Sequence, residues 1–122
     1  MTRWWDEIPR IDRLLWPIIY MHSVEFGDEM WRFAPILRAE LAADPEHRDR
    51  VREALDFVIA RRPTPEEWFH PTYIWFFDQR ELDEYLQAFH DYLFGDRPEP
   101  IYPPDSERLP PEPDPGSFTN DQ

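Results

Sequence analysis

The chain has 122 residues, no Cys, and 26 acidic against 13 basic residues, a formal net charge of −13. That length supports one domain, the missing Cys excludes disulfides and thiolate metal sites, and the charge repels nucleic acid and anionic lipid while attracting basic proteins. The first residues, Met1-Thr2-Arg3-Trp4-Trp5, lack the apolar core of a signal peptide, and no apolar run reaches the ~20 residues needed to span a bilayer. A cytoplasmic protein without membrane contact is expected.

The first predicted helix runs from about Ile11 to Val24, with Ile11, Leu14, Leu15, Ile18, Ile19 and His22 at helical spacing. Pro17 lies inside it and should kink or divide it. A second helix is expected from Asp28 to Ala43, with Met30, Phe33, Ala34, Leu37 and Leu41 as its stripe and a possible bend at Pro35. The third opens on Asp44 as N-cap with Pro45 in its first turn. It buries Val51, Leu55, Val58 and Ile59, exposes Arg48, Arg50, Arg52, Glu53 and Asp56, and ends at Arg61-Arg62 before Pro63. Thr64 and Glu67 form a capping-box pattern that opens a short helix over Glu66–His70, stopped by Pro71. Asp78 and Glu81 repeat that pattern at the start of the last helix, whose stripe is Leu82, Tyr85, Leu86, Phe89 and Leu93, with Gly95 as a C-cap. No segment alternates like a strand bounded by hairpin turns. The fold class is therefore all-α, a small bundle of four to five helices over residues 1–95.

Residues 96–122 contain eight of the 15 prolines, seven acids and only four large apolar residues, Ile101, Tyr102, Leu109 and Phe118. Such a segment buries too little surface to offset its ordering entropy. It is expected to be an extended or disordered Pro-rich acidic tail, beginning at residue 96.

Few residues invite chemistry. A Gly-rich phosphate loop is impossible with only Gly27, Gly95 and Gly116. None of Ser23, Ser106 and Ser117 sits in a nucleophile elbow. Glu67 and His70 have the Glu-x-x-His spacing of a metal-ligand pair, yet di-iron bundles need two such pairs and further carboxylates. Glu67 is better explained as a cap. Neither a catalytic site nor a metal or cofactor is expected.

Residues fit for partner binding are easier to name. Trp68-Phe69-His70-Pro71-Thr72-Tyr73-Ile74-Trp75-Phe76-Phe77 is either a core plug between two helices or an aromatic binding surface. The plug is preferred, with Trp68, Tyr73 and Trp75 as candidate contacts. Glu25, Asp28 and Glu29 form an acidic cluster at the turn after the first helix, and Asp83 and Glu84 lie beyond the cap of the last.

The stretch Tyr20-Met21-His22-Ser23-Val24-Glu25-Phe26-Gly27-Asp28 places an aromatic-x-His element before an acid-aromatic-Gly-Asp turn. An amphipathic helix, an Arg-bearing third helix, a short helix opened by Thr64-Pro65-Glu66-Glu67 and a final amphipathic helix follow. This order, over Ile11 to Gly95, resembles that of small helical immunity proteins from bacterial contact-dependent growth inhibition systems. The chain departs from it in Pro17, Pro35 and its long acidic tail. The resemblance implies a non-enzymatic protein that binds and neutralises a cognate toxin, a basic protein domain. Two further readings stay open: a subunit of a larger assembly, and an inhibitor that mimics nucleic acid.

Overall fold

The computed structural model describes residues 3–105 and Glu107. Five α-helices carry the fold, and no strand occurs among the described residues. They are α1 (Ile11–Ile18), α2 (Met30–Ala43), α3 (Pro45–Arg61), α4 (Pro65–Thr72) and α5 (Gln79–Phe94). Single 3-10 turns cover Trp4–Glu7, Tyr20–His22 and Gly27–Glu29. α3 lies centrally, packed against α1, α2 and α5, while α4 leans on the Tyr20–His22 turn.

The capping residues set the helix starts. The Asp44 side chain accepts from the His47 amide at 3.1 Å, and Pro45 opens α3 where no intrahelical N–H is needed. Thr64 and Glu67 close a reciprocal capping box on α4. Asp78 accepts from the Glu81 amide at 2.8 Å, but Glu81 reaches back to the amide of Phe77 rather than that of Asp78. At the far end of α5, a Cβ on Gly95 would lie 2.9 Å from the Asp91 carbonyl oxygen, so close approach requires glycine there.

Prolines decide the interruptions. A proline interferes with the turn before it and offers no N–H to the carbonyl four residues back. Pro17 divides the expected first helix. Leu14 leaves helical geometry (φ −117°, ψ 16°), α1 stops at Ile18, and the chain resumes as the Tyr20–His22 turn. Pro35 does not interrupt α2. It lies on the exposed side with Trp31, where water can take up the Trp31 carbonyl. Pro71 does not end α4 as expected. The helix continues to Thr72 and closes on Tyr73 in the left-handed region (φ 59°). The Glu67 carbonyl that Pro71 leaves unmatched receives the Trp4 indole N–H at 2.8 Å.

One core fills the bundle, with Trp68, Phe76, Phe89, Met21, Met30, Leu55 and Leu82 fully enclosed. The segment after α4 alternates as an extended chain does: Tyr73 faces out, Ile74 in, Phe76 in and Phe77 out. It is therefore a core plug with an exposed outer side.

Packing also continues beyond the expected boundary at Gly95. Ile101 packs against the core, and Pro103 lies over Gly27, where a Cβ would meet its Cγ at 2.7 Å. Residues 96–105 carry no helix and return over the domain as a strap. The hydrophobic count along the sequence underrated one isoleucine and one proline placed against a ready surface. The rest of the tail expected from residue 96 to 122 to be extended or disordered, residue 106 and residues 108–122, lies outside the described residues.

Candidate functional site

The site is built outward from His22. The break after Pro17 lets the Tyr20–His22 turn drive this imidazole into the core, among the rings of Trp68, Tyr85 and Phe89. Nε2 lies 3.1 Å from the Pro17 carbonyl and Nδ1 2.6 Å from the Tyr85 hydroxyl. The neutral tautomer with Nε2–H donating to Pro17 and Tyr85 O–H donating to Nδ1 satisfies both nitrogens. Burial pushes the His22 pKa down from 6.5 to about 4, against the opposing pull of the Pro17 carbonyl. Burial also pushes the Tyr85 phenol well above its ordinary range. With both residues sealed in the core and both ring nitrogens engaged, this pair is a structural anchor and no metal ligand or solvent-facing base.

The anchored turn holds the loop that follows. Ser23 Oγ donates to the Tyr20 carbonyl at 2.7 Å, and the Gly27 amide donates to the Ser23 carbonyl at 2.7 Å. The Val24 amide donates to the Thr72 carbonyl at 2.8 Å, fastening the loop to the end of α4. That bond sets Val24, which is exposed, at the end of α4 next to Tyr73, which is 61% exposed. Phe69 supports the rim with edge contacts to Tyr73 and Trp75, whose ring is half-buried.

The expected partner-binding residues divide by place. Glu25 and Asp28 stand exposed on the pinned loop, and neither meets a cation among the described residues. Glu29 lies 3.5 Å from Arg32. Tyr73 and Trp75 sit at the neighbouring end of α4. Trp68 is 1% exposed and belongs to the core; its ring packs against Trp4 and His22, so it cannot anchor a partner. Asp83 is engaged by Arg62 at 2.8 Å and by Gln79 at 2.9 Å. Partial burial would raise its pKa, but these bonds outweigh that and hold it below the usual carboxylate range. Glu84 pairs with Arg80 on an exposed face.

The strap extends this surface. Ile101, Tyr102 and Pro104 form one side of a groove of about 260 Å³, with Phe76, Glu84 and Tyr85 on the other. Tyr102 remains 52% exposed and Phe77 65% exposed. Pro103, over Gly27, ties this groove to the acidic loop. Sequence reasoning missed Tyr20, Val24, Phe77 and Tyr102 as surface groups. Only Tyr20 and Val24 left a signal, since both fall outside the apolar stripe of the first predicted helix.

The Glu-x-x-His pair is already committed. Both Glu67 oxygens accept from Arg61, at 3.3 and 2.8 Å, and one also caps Thr64. The Arg61 guanidinium holds the Glu67 carboxyl below its ordinary range against the effect of partial burial. No group of three or more potential metal ligands occurs among the described residues, and none of their helices is long and apolar enough to cross a membrane. The surface offers exposed rings and unpaired carboxylates on a braced backbone. No family model, curated protein or solved structure matches this chain.

Proposed function

We propose that this chain is an acidic protein-binding module, and specifically an immunity protein that neutralises a cognate basic toxin by direct contact. The observation that carries the reading is a loop bearing exposed Val24 and unpaired Glu25 and Asp28 that the Val24–Thr72 bond fastens to the end of α4, where Tyr73 is exposed. Carboxylates at a rim speed encounter with a cationic partner and select for it. Rigid aromatic rings supply affinity at low entropy cost. The net charge of −13 adds long-range steering that salt screens. The toxin itself rests on the resemblance of Ile11–Gly95 to immunity proteins.

The test is capture by the tagged chain from its own host cytosol at low and high salt. A parallel capture uses a variant carrying Glu25→Arg, Asp28→Arg and Tyr73→Ala. Retention of one basic, toxin-like protein in near-equal amount is expected, weakened by salt and lost in the variant while its helical circular dichroism is kept. A stable homo-oligomer with no partner, or equal capture by the variant, would refute the reading.

A further inference from the structure

The acid excess of this chain is not evenly spread. Among the described residues, the guanidinium groups of Arg13, Arg38, Arg48, Arg52 and Arg97 meet no carboxylate, although acids outnumber bases two to one. Arg38 lies over the Tyr92 ring, Arg48 and Arg52 lie over Phe94, and Arg97 Nε donates to the Glu99 carbonyl, so four of the five are occupied. Arg13 has neither a ring nor an acid. It opens onto a groove of about 260 Å³ between the starts of α1 and α3.

The walls of that groove are unlike the rest of the surface. Arg10, Arg13, His47 and Arg50 line it together with Leu14, and no carboxylate lines it. Two of the guanidinium groups are braced. Arg10 Nη1 donates to Glu53 Oε2 at 2.8 Å, and Arg50 Nη2 lies 3.5 Å from Glu46 Oε2. Each guanidinium has five N–H donors, so each retains donors beyond its single carboxylate contact. The side chains of Arg13 and His47 have no hydrogen-bond or ion-pair partner among the described residues. Arg10 also stands in the left-handed region (φ 57°, ψ 30°), a conformation that costs a non-glycine residue energy. A glycine would fit that backbone without strain, and a guanidinium beside the groove stands there instead.

We propose that this groove is a binding site for a small oxyanion with a phosphate head. Guanidinium forks match the spacing of phosphate oxygens, and three converge here over a space that a phosphate group and a small substituent would fill. Bulk electrostatics cannot supply such binding, because the field of a chain at −13 repels anions. Any affinity must come from the local donors. The groove shares no residue with the aromatic and acidic face, so this proposal and the proposed function stand or fall separately.

Amide-resolved NMR of the full chain, titrated with inorganic phosphate at constant ionic strength, tests it. Saturable shifts confined to residues 10–14 and 46–50 are expected, with Kd near or below about 1 mM. Arg13→Gln should weaken binding at least tenfold, and Arg48→Gln, over the Phe94 ring, should leave it unchanged. Glycerol phosphate titrated in parallel distinguishes a free ion from a phosphate ester, since the tighter binder identifies the source. Arg10→Gly removes a donor and relieves the backbone, so affinity should fall while the thermal midpoint does not. Non-saturable shifts spread over other arginines, or equal affinity in Arg13→Gln, would mean an adventitious ion only and overturn the site. A lowered midpoint with unchanged affinity in Arg10→Gly would equally overturn it, by assigning Arg10 to its pairing with Glu53 alone.

Discussion

Protonation of His22 is expected to be the main pH-dependent penalty on this fold above the carboxylate range. The native ring is neutral, buried and doubly hydrogen-bonded, with its pKa pushed from 6.5 to about 4. In the unfolded chain the ring takes up a proton as pH falls through 6.5, while the native ring does so only near 4. Stability is therefore complete above pH 6.5, declines between that value and about 4, and loses nothing further from this group below it. A pKa difference of one corresponds to 1.36 kcal/mol, so the fall costs about 3 kcal/mol across the window. Against the roughly 5–15 kcal/mol of a typical domain, that is a large fraction. Urea unfolding at several pH values measures it, and His22→Gln provides the control. A glutamine amide can donate to Pro17 and accept from Tyr85 but does not titrate. The difference between the two chains isolates His22 from Asp6, Glu67 and Asp83, whose pKa values lie below the ordinary carboxylate range and whose contributions are lost at lower pH. The same slope in both chains, or an NMR titration placing native His22 near 6.5, would refute the reasoning.

Three further outcomes are expected. Truncation after Gly95 should lower stability by about 1–2 kcal/mol, the scale of one partly buried isoleucine and its neighbours, because Ile101 and Pro103 pack on the domain; an unchanged urea midpoint would show that the strap contributes nothing. Gly27→Ala should displace Pro103 and cost about 1 kcal/mol, and that cost should vanish in the truncated chain, as a double-mutant cycle would reveal. Tyr85→Phe should leave buried His22 Nδ1 without a donor and cost about 1–3 kcal/mol at neutral pH; hydrogen exchange should then show weaker protection of the Val24 amide, which reports whether the loop depends on the His22 anchor.

The helices were legible because their signals are local. Asp44-Pro45, Thr64 with Glu67, and Asp78 fix three starts within a residue, and the stripe Leu82, Tyr85, Leu86, Phe89 and Leu93 is buried on α5 together with Tyr92. Pro71 was misread because its effect depends on a distant residue: a proline near a helix end is tolerated when the carbonyl it strands finds another donor, and Trp4 supplies one from 63 positions away. The strap was misread for a similar reason, since composition counts apolar residues but cannot show that Gly27 leaves room for Pro103. Within the candidate face, the acids Glu25 and Asp28 and the ring of Tyr73 could be named from the sequence. Their assembly could not, because it rests on one backbone bond between Val24 and Thr72. Trp68 illustrates the converse: it falls on the buried face of α4 while Tyr73 at the end of that helix is exposed, and only the fold decides which rings of one aromatic run go inward.

The candidate face arises where helices are interrupted. Pro17 divides the first helix, which turns His22 inward and leads the chain into the loop of Glu25 and Asp28. The left-handed Tyr73 ends α4, which sends the next residues alternately into the core and outward. Non-helical backbone of this kind is ordinarily mobile and costs entropy when a partner fixes it. Here the cost is met in advance by folding, through the His22 bonds at one end of the loop, the Val24–Thr72 bond in its middle and Pro103 over Gly27 beyond it. Buried, braced polar anchors beneath an exposed loop are hard to explain as surplus stability, since an apolar side chain in place of His22 would carry no acid penalty. They follow directly if the position of the loop is what matters. On the proposed reading, the acid sensitivity at His22 is the thermodynamic cost of holding carboxylates and rings in place before the partner arrives.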